Sequence, residues 1–113
     1  MNIQIFGTKK DFDSKKAERF FKERGIKYQF IDMKEKGMSK GEFVSVCQSV
    51  GGVENLIDAD GKDKDLLALL RHLSAEDRTV KLLENQRAIR TPIVRNGKKV
   101  TVGYQPEIWK EWE

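Results

Sequence analysis

A carboxylate and a hydroxyl stand three residues apart where an apolar strand is predicted to run into a helix. Residues 3–14 read IQIFGTKKDFDS, so Asp11 and Ser14 fall at this junction. The first turn of a helix offers unpaired backbone N–H groups and the positive end of the helix dipole, so it stabilises a nearby anion. A cysteine here would be held as a reactive thiolate. Asp11 keeps the negative charge but cannot form a disulfide or attack a bound oxyanion.

Lysines surround this junction, at positions 9, 10, 15 and 16. Lysines in a first helical turn are commonly just exposed, and the alternative is that these attract a ligand. We take Lys9 and Lys10, together with Asp11 and Phe12, as candidate ligand-binding residues.

A second group of candidate ligand-binding residues, Arg90, Thr91 and Pro92, precedes an apolar strand. Residues 93–102 read IVRNGKKVTV, and the central Asn-Gly pair predicts a two-residue hairpin turn. Alternation along the strand places Arg95 on the face opposite its neighbour Val94. In the short helix predicted after this hairpin, Trp109 is expected to dock on the sheet and Trp112 to be an exposed contact.

The elements that position these groups alternate between strands and helices. A strand is predicted over 2–6, a helix over 14–24 and a returning strand over 28–31. One helix joins the two strands, so they are predicted to form a βαβ unit with parallel strands and a right-handed crossover. Asp13 directly precedes the helical pattern and is therefore the predicted N-cap, a role that contributes ~1 kcal/mol. A capping or first-turn role would equally account for Asp11 without any function.

The middle of the chain is predicted to be mostly helical. Ser39 and Glu42 form a capping-box pattern before one of these helices. Cys47 lies on the apolar stripe of that helix, which favours inert packing. Because it is the only cysteine, an intramolecular disulfide is excluded. The acidic segment 58–63 departs from a calcium loop and is predicted to be exposed. His72 is the only histidine, so no metal site is predicted.

Composition limits the function classes. The chain has 113 residues, with 22 basic and 18 acidic side chains mixed along it and a formal charge of +4. This mixture indicates a solvated surface rather than a direct nucleic-acid footprint. No apolar run approaches the ~20 residues that a membrane span needs, and the sequence opens in a strand. We expect one cytoplasmic domain with no direct nucleic-acid or membrane contact.

The order of these elements resembles the ArsC/Spx family of arsenate-reductase-like, bacterial-type proteins, including its small YffB-type members. The resemblance runs from Ile3 to Trp112 and includes the Thr-Pro step, the Pro-Ile-Val strand and the Val-Gly strand. It implies an α/β fold with a thioredoxin-like core, a mixed four-stranded sheet flanked by helices. It also implies a single domain, with the core at about 1–38 and 87–113 and an ArsC-type helical insertion at about 39–86.

The same resemblance implies roles for particular residues. Asp11 falls at the position of the family's nucleophilic cysteine and Ser14 at that of the resolving cysteine. A cis proline at Pro92 would present the Thr91 backbone to a thiol or an extended ligand, as in thioredoxin-like folds. The family's arsenate reductases hold the oxyanion with three arginines, and those positions hold Ile57, Thr91 and Tyr104. Arg90 and Arg95 remain nearby, but neither clearly replaces one of these three.

Three hypotheses for the function follow. The first is a redox-inactive binding module whose groove around Asp11, Thr91 and Pro92 meets a protein, a small anion or a thiol peptide such as glutathione, with no cofactor required. The second is an Spx-like regulator that acts through RNA polymerase. The third is a thiol- or glutathione-dependent reductase, which requires Asp11 to replace a native cysteine. The residues favour the first hypothesis, and the resemblance favours the third.

Overall fold

The computed structural model describes all 113 residues and is built on a mixed four-stranded sheet. The strands are β1 (Ile3–Gly7), β2 (Tyr28–Asp32), β3 (Ile93–Asn96) and β4 (Lys99–Val102), in the spatial order β2-β1-β3-β4. β1 and β2 are parallel, whereas β1 with β3 and β3 with β4 are antiparallel. The predicted thioredoxin-like sheet, its parallel first unit and its late hairpin are thereby confirmed.

Five α-helices flank the sheet. They are α1 (Phe12–Glu23), α2 (Lys40–Ser49), α3 (Lys64–His72), α4 (Ala75–Glu84) and α5 (Pro106–Lys110). Two 3-10 helices, Val53–Leu56 and Gln86–Ala88, also lie between β2 and β3. None of the helices combines the length and the apolar character that crossing a membrane would require.

Alternation along the strands divides the core between the two faces of the sheet. Ile5 of β1 and Val94 of β3 pack with α1 and the fully buried Trp109. Their strand neighbours Phe6 and Ile93 pack on the other face with α2, α3 and α4. The sheet thus fixes the positions of the C-terminal end of β1 and the N-terminal end of β3, which pair antiparallel through Phe6 and Ile93.

The start of α1 differs from the sequence-based expectation. Asp11, not Asp13, is the N-cap, and the prediction for Asp13 was wrong. Asp11 has extended backbone dihedrals of −75° and 123°, and its carbonyl accepts the N–H of Lys15 at 3.2 Å. Phe12 is 71% exposed, so this apolar side chain does not belong to the buried stripe of α1 from which the helix start was predicted. By contrast, the capping box at Ser39 is present as predicted.

The C-terminal segment closes the α1 side of the sheet. Trp109 is fully buried, as predicted, and its indole Nε1 donates to Thr101 Oγ1 at 2.8 Å. The exposed role expected for Trp112 is wrong, because this side chain is partly buried against the same cluster. The turn after α5, in which Trp112 N–H donates to the Trp109 carbonyl, brings the second indole back onto the core.

Candidate functional site

The carboxylate of Asp11 lies between two hydroxyl donors. Ser14 Oγ and Thr91 Oγ1 each donate to Asp11 Oδ2 at 2.7 Å. Ser14 is on the first turn of α1, whereas Thr91 is 80 residues away in sequence, directly before β3. The carboxylate therefore connects the N-terminus of α1 to the segment that enters β3.

The loop between β1 and α1 is built around the same groups. Thr8 N–H donates to Ser14 Oγ at 3.3 Å, and Thr8 Oγ1 accepts the N–H of Asp11 at 3.1 Å. Ser14 is fully buried, and a Cβ at Gly7 would collide with its Oγ, so the loop needs glycine there. The Asp11 side chain makes no capping bond to α1 and is directed instead to the two hydroxyls.

The Thr91-Pro92 peptide bond is cis. Pro92 is buried, and its carbonyl accepts the N–H of Gly103 at 2.8 Å. Thr91 makes no backbone-to-backbone hydrogen bond through either its N–H or its C=O. Beside the N-terminus of α1, the backbone at Thr91 is therefore free to pair with an extended ligand.

An acidic loop forms the wall opposite α1. Arg90 N–H donates to the Leu56 carbonyl at 2.7 Å and Asp58 N–H to the Ala88 carbonyl at 2.9 Å, around an antiparallel bridge between Ile57 and Ile89. This pairing holds residues 57–60 beside Thr91. The resulting cleft has a volume of about 420 Å³.

The charge of this cleft is negative although the chain as a whole carries +4. Its charged lining residues are four carboxylates and one guanidinium, namely Asp11, Asp13, Asp58, Asp60 and Arg90. No group of three or more His, Cys, Asp or Glu side chains in the structure is arranged to hold a metal ion. The arrangement therefore repels small oxyanions and attracts cationic groups.

The candidate residues from the sequence do not all reach the cleft. Asp11, Arg90 and Thr91 line it, with Ser14 buried directly beneath the Asp11 carboxylate. Lys9, Lys10 and Phe12 are exposed and do not line it, and Pro92 is buried behind Thr91. The guanidinium of Arg90 lies over Gly103, where a Cβ would be 3.1 Å from Nη2.

Asp58 and Asp60 were not among the site residues predicted from the sequence. They belong to the segment interpreted as a plain exposed loop, and only the long-range pairing of Ile57 with Ile89 brings that segment to Thr91. One signal was present, because the resemblance assigned Ile57 to a position that contributes an oxyanion-binding arginine in the family. Ile57 does line the cleft, next to the two carboxylates.

A separate basic and aromatic surface lies along α1. Lys16 Nζ lies 5.1 Å from the ring centroid of Phe12 and 5.4 Å from that of Tyr104. Tyr104 is 38% exposed and stacks edge-on against Trp109, with ring centroids 5.5 Å apart. No lysine lines the acidic cleft, and none of its carboxylates forms a salt bridge, so the lysines of α1 do not neutralise these carboxylates at contact distance.

The only thiol does not line the cleft. Cys47 lies on α2 and packs, partly buried, against the larger core cluster. Burial raises the pKa of its thiol, and the negative charge of Glu54 raises it further. The side chain therefore favours the neutral thiol, which is the form that reacts slowly.

The sheet order, the cis proline and the adjoining helix N-terminus define a thioredoxin-like domain. The chain belongs to the ArsC family, whose model matches residues 6–112. It is 24% identical over 115 residues to the uncharacterized protein YusI of Bacillus subtilis, covering 98% of both chains.

Solved structures show the same fold over the full length. An ArsC-family-related protein from Bacteroides fragilis superposes with a TM-score of 0.86 at 20% identity, covering 100% of this chain and 98% of the other. An arsenate reductase from Vibrio cholerae gives a TM-score of 0.84 at 24% identity, covering 98% and 97%. The protein is thus an arsenate-reductase-like member of the family in fold and sequence.

Proposed function

We propose that this protein is a redox-inactive ArsC-family member that acts as a binding module, with the groove around Asp11, Thr91 and Pro92 as its ligand site. The observation that carries the proposal is the Asp11 carboxylate, which accepts two hydroxyl hydrogen bonds at 2.7 Å. By resemblance, this position holds the nucleophilic cysteine in the family. A carboxylate cannot exchange disulfides or become oxidised as a thiolate does.

The loss of activity extends beyond the missing thiol. Arsenate reduction by a thiol needs the oxyanion held against the nucleophile, and the cleft opposes that oxyanion with four carboxylates. Ile57 and Thr91, at two of the expected arginine positions, bring no positive charge, and Tyr104 lies outside the cleft. Glutathione itself carries two carboxylates and is disfavoured by the same charge.

The binding role is supported by what the site keeps. The N–H and C=O of Thr91 have no backbone partners, and Thr91 lines an open cleft. An extended chain can satisfy both groups, because main-chain hydrogen bonds supply affinity when a peptide pairs with an exposed backbone edge. A peptide segment of a protein partner is therefore the ligand class that the groove fits best.

The test of redox inactivity combines glutathione-coupled arsenate reduction with the variants Cys47→Ser and Asp11→Cys. The wild-type protein and Cys47→Ser should show no arsenate-dependent glutathione oxidation. Asp11→Cys should gain a second alkylatable thiol, held by the helix N-terminus and two hydroxyl donors, yet remain unable to reduce arsenate. Turnover by the wild-type protein would overturn the proposal, whether it disappears in Cys47→Ser or in Asp11→Ala. Full turnover by Asp11→Cys would instead show that only the nucleophile has been lost.

The binding role is tested by following backbone amide shifts at residues 11–14 and 90–93 during titration with uncharged and charged hexapeptides. Saturable shifts in these segments with at least one peptide are expected. Arsenate and phosphate, titrated as controls, should produce none. The absence of any peptide-induced shift in these segments at millimolar concentration would refute the binding role.

A further inference from the structure

A second, largely apolar pocket shares two lining residues with the acidic cleft. This second cavity, of about 300 Å³, lies between the 3-10 helix Val53–Leu56 and helices α3 and α4. Four of its seven lining residues are apolar, namely Leu67, Leu70, Ile57 and Ala59, and the other three are Glu54, Arg71 and Arg78. Ile57 and Ala59 line the acidic cleft as well, so the two cavities adjoin along one short loop.

The wall of the apolar pocket is held in place by a side chain of α4. Arg78 donates from Nε to the Leu70 carbonyl and from Nη2 to the Leu73 carbonyl, both at 2.8 Å. These bonds hold the C-terminal end of α3 against α4, so the Arg78 guanidinium has a structural role. The pocket is therefore preformed by backbone and core contacts, which lowers the ordering cost that a ligand would meet.

The two adjoining cavities, which together form the groove, offer three kinds of contact. The backbone of Thr91 offers an unpaired N–H and C=O, the cleft beside it offers an excess of carboxylates, and the adjoining pocket offers apolar side chains. A peptide in extended conformation matches these contacts, because it supplies main-chain bonds while alternate side chains enter successive pockets. Charge complementarity then selects lysine or arginine for the cleft.

We propose that the partner of this groove is an extended protein segment in which a basic side chain enters the acidic cleft and an apolar side chain enters the adjoining pocket. This inference rests on the binding function proposed above and specifies its ligand. The carboxylates at Asp58 and Asp60 select for the basic residue, and the surfaces of Leu67 and Leu70 accept the apolar one. A glutamate in place of the basic residue would face like charge in the same cleft.

The experiment uses N-acetylated, C-amidated heptapeptides in which lysine and leucine are separated by one alanine, so that both side chains lie on one face of an extended chain. The matched peptides replace lysine with glutamine or glutamate, or leucine with alanine. Amide shifts of residues 57–60 and 90–91 in the wild-type protein report binding. The lysine-leucine peptide should bind saturably, the glutamine and alanine peptides more weakly, and the glutamate peptide not measurably.

A pair of protein variants separates the cleft from general charge effects. Asp60→Asn removes one cleft carboxylate whose side chain makes no hydrogen bond, and it should weaken the lysine-leucine peptide about threefold, as a partly screened ion pair does. Asp77→Asn makes the same change in the first turn of α4, outside the groove, and should leave the affinity unchanged. The advantage of lysine over glutamine should shrink as salt is added.

The outcomes separate this inference from the proposed function. Equal saturable binding of the lysine and glutamate peptides would overturn the basic partner while preserving a peptide-binding groove. Equal binding of the leucine and alanine peptides would overturn the role of the apolar pocket. A failure of all four peptides to shift any amide of the groove at millimolar concentration would overturn both proposals.

Discussion

Removing the Thr91 hydroxyl should destabilise the fold through a single hydrogen bond. Thr91→Val keeps the shape of the side chain and deletes the donor that lies 2.7 Å from Asp11 Oδ2. A hydrogen bond to a charged group contributes roughly 1.5 to 3 kcal/mol. Ser14 still donates to the same oxygen and water can enter the open cleft, so we expect about 1.5 kcal/mol, or roughly 6 °C in Tm.

A double-mutant cycle isolates this bond. Urea unfolding, followed by the fluorescence of Trp109 and Trp112, gives the free energies of the wild-type protein, Thr91→Val, Asp11→Ala and the double variant. The coupling energy between the two positions should be about 1 to 1.5 kcal/mol. As a control, Thr79→Val removes a hydroxyl that bonds only within its own helix, and it should change stability by less than about 0.5 kcal/mol. A coupling energy below about 0.3 kcal/mol would refute the view that the Asp11 carboxylate links α1 to the β3 entry.

Three further predictions concern Cys47 and Thr101, which lie outside the cleft. Because burial and Glu54 raise the pKa of Cys47, its alkylation midpoint should lie above the free-thiol value of about 8.5, and a midpoint at or below that value would contradict the assigned burial. The stability that Cys47 contributes is fully present below the unfolded pKa and is lost as the pH rises through the folded pKa, so the stability difference between wild type and Cys47→Ser should shrink at alkaline pH. Thr101→Val should cost about 1 to 3 kcal/mol because it leaves the Trp109 indole N–H buried without its acceptor; near-wild-type stability in urea would mean that another acceptor replaces Thr101.

Local patterns predicted most of the fold. The periodicity of apolar residues, the Ser39 capping box and the Asn-Gly turn each depend on neighbours in sequence, and each is present in the structure. The start of α1 was misplaced because the exposed Phe12 breaks the apolar pattern on which the prediction relied. Trp112 was predicted to be exposed because no sequence pattern indicated the turn after α5. That turn places its side chain against the core cluster.

The character of the candidate site depended on long-range pairing. The resemblance to the family predicted that Asp11 and Thr91 lie in one groove, but no local sequence pattern connects either residue with Asp58. That connection requires the bridge between Ile57 and Ile89, which places the acidic loop across the cleft. The consequence is chemical, because lysines immediately precede Asp11 in sequence, whereas the cleft that forms around Asp11 is acidic. Membership of the family therefore does not by itself determine the charge of this cleft, because the charge depends on which loop the Ile57–Ile89 bridge places across it.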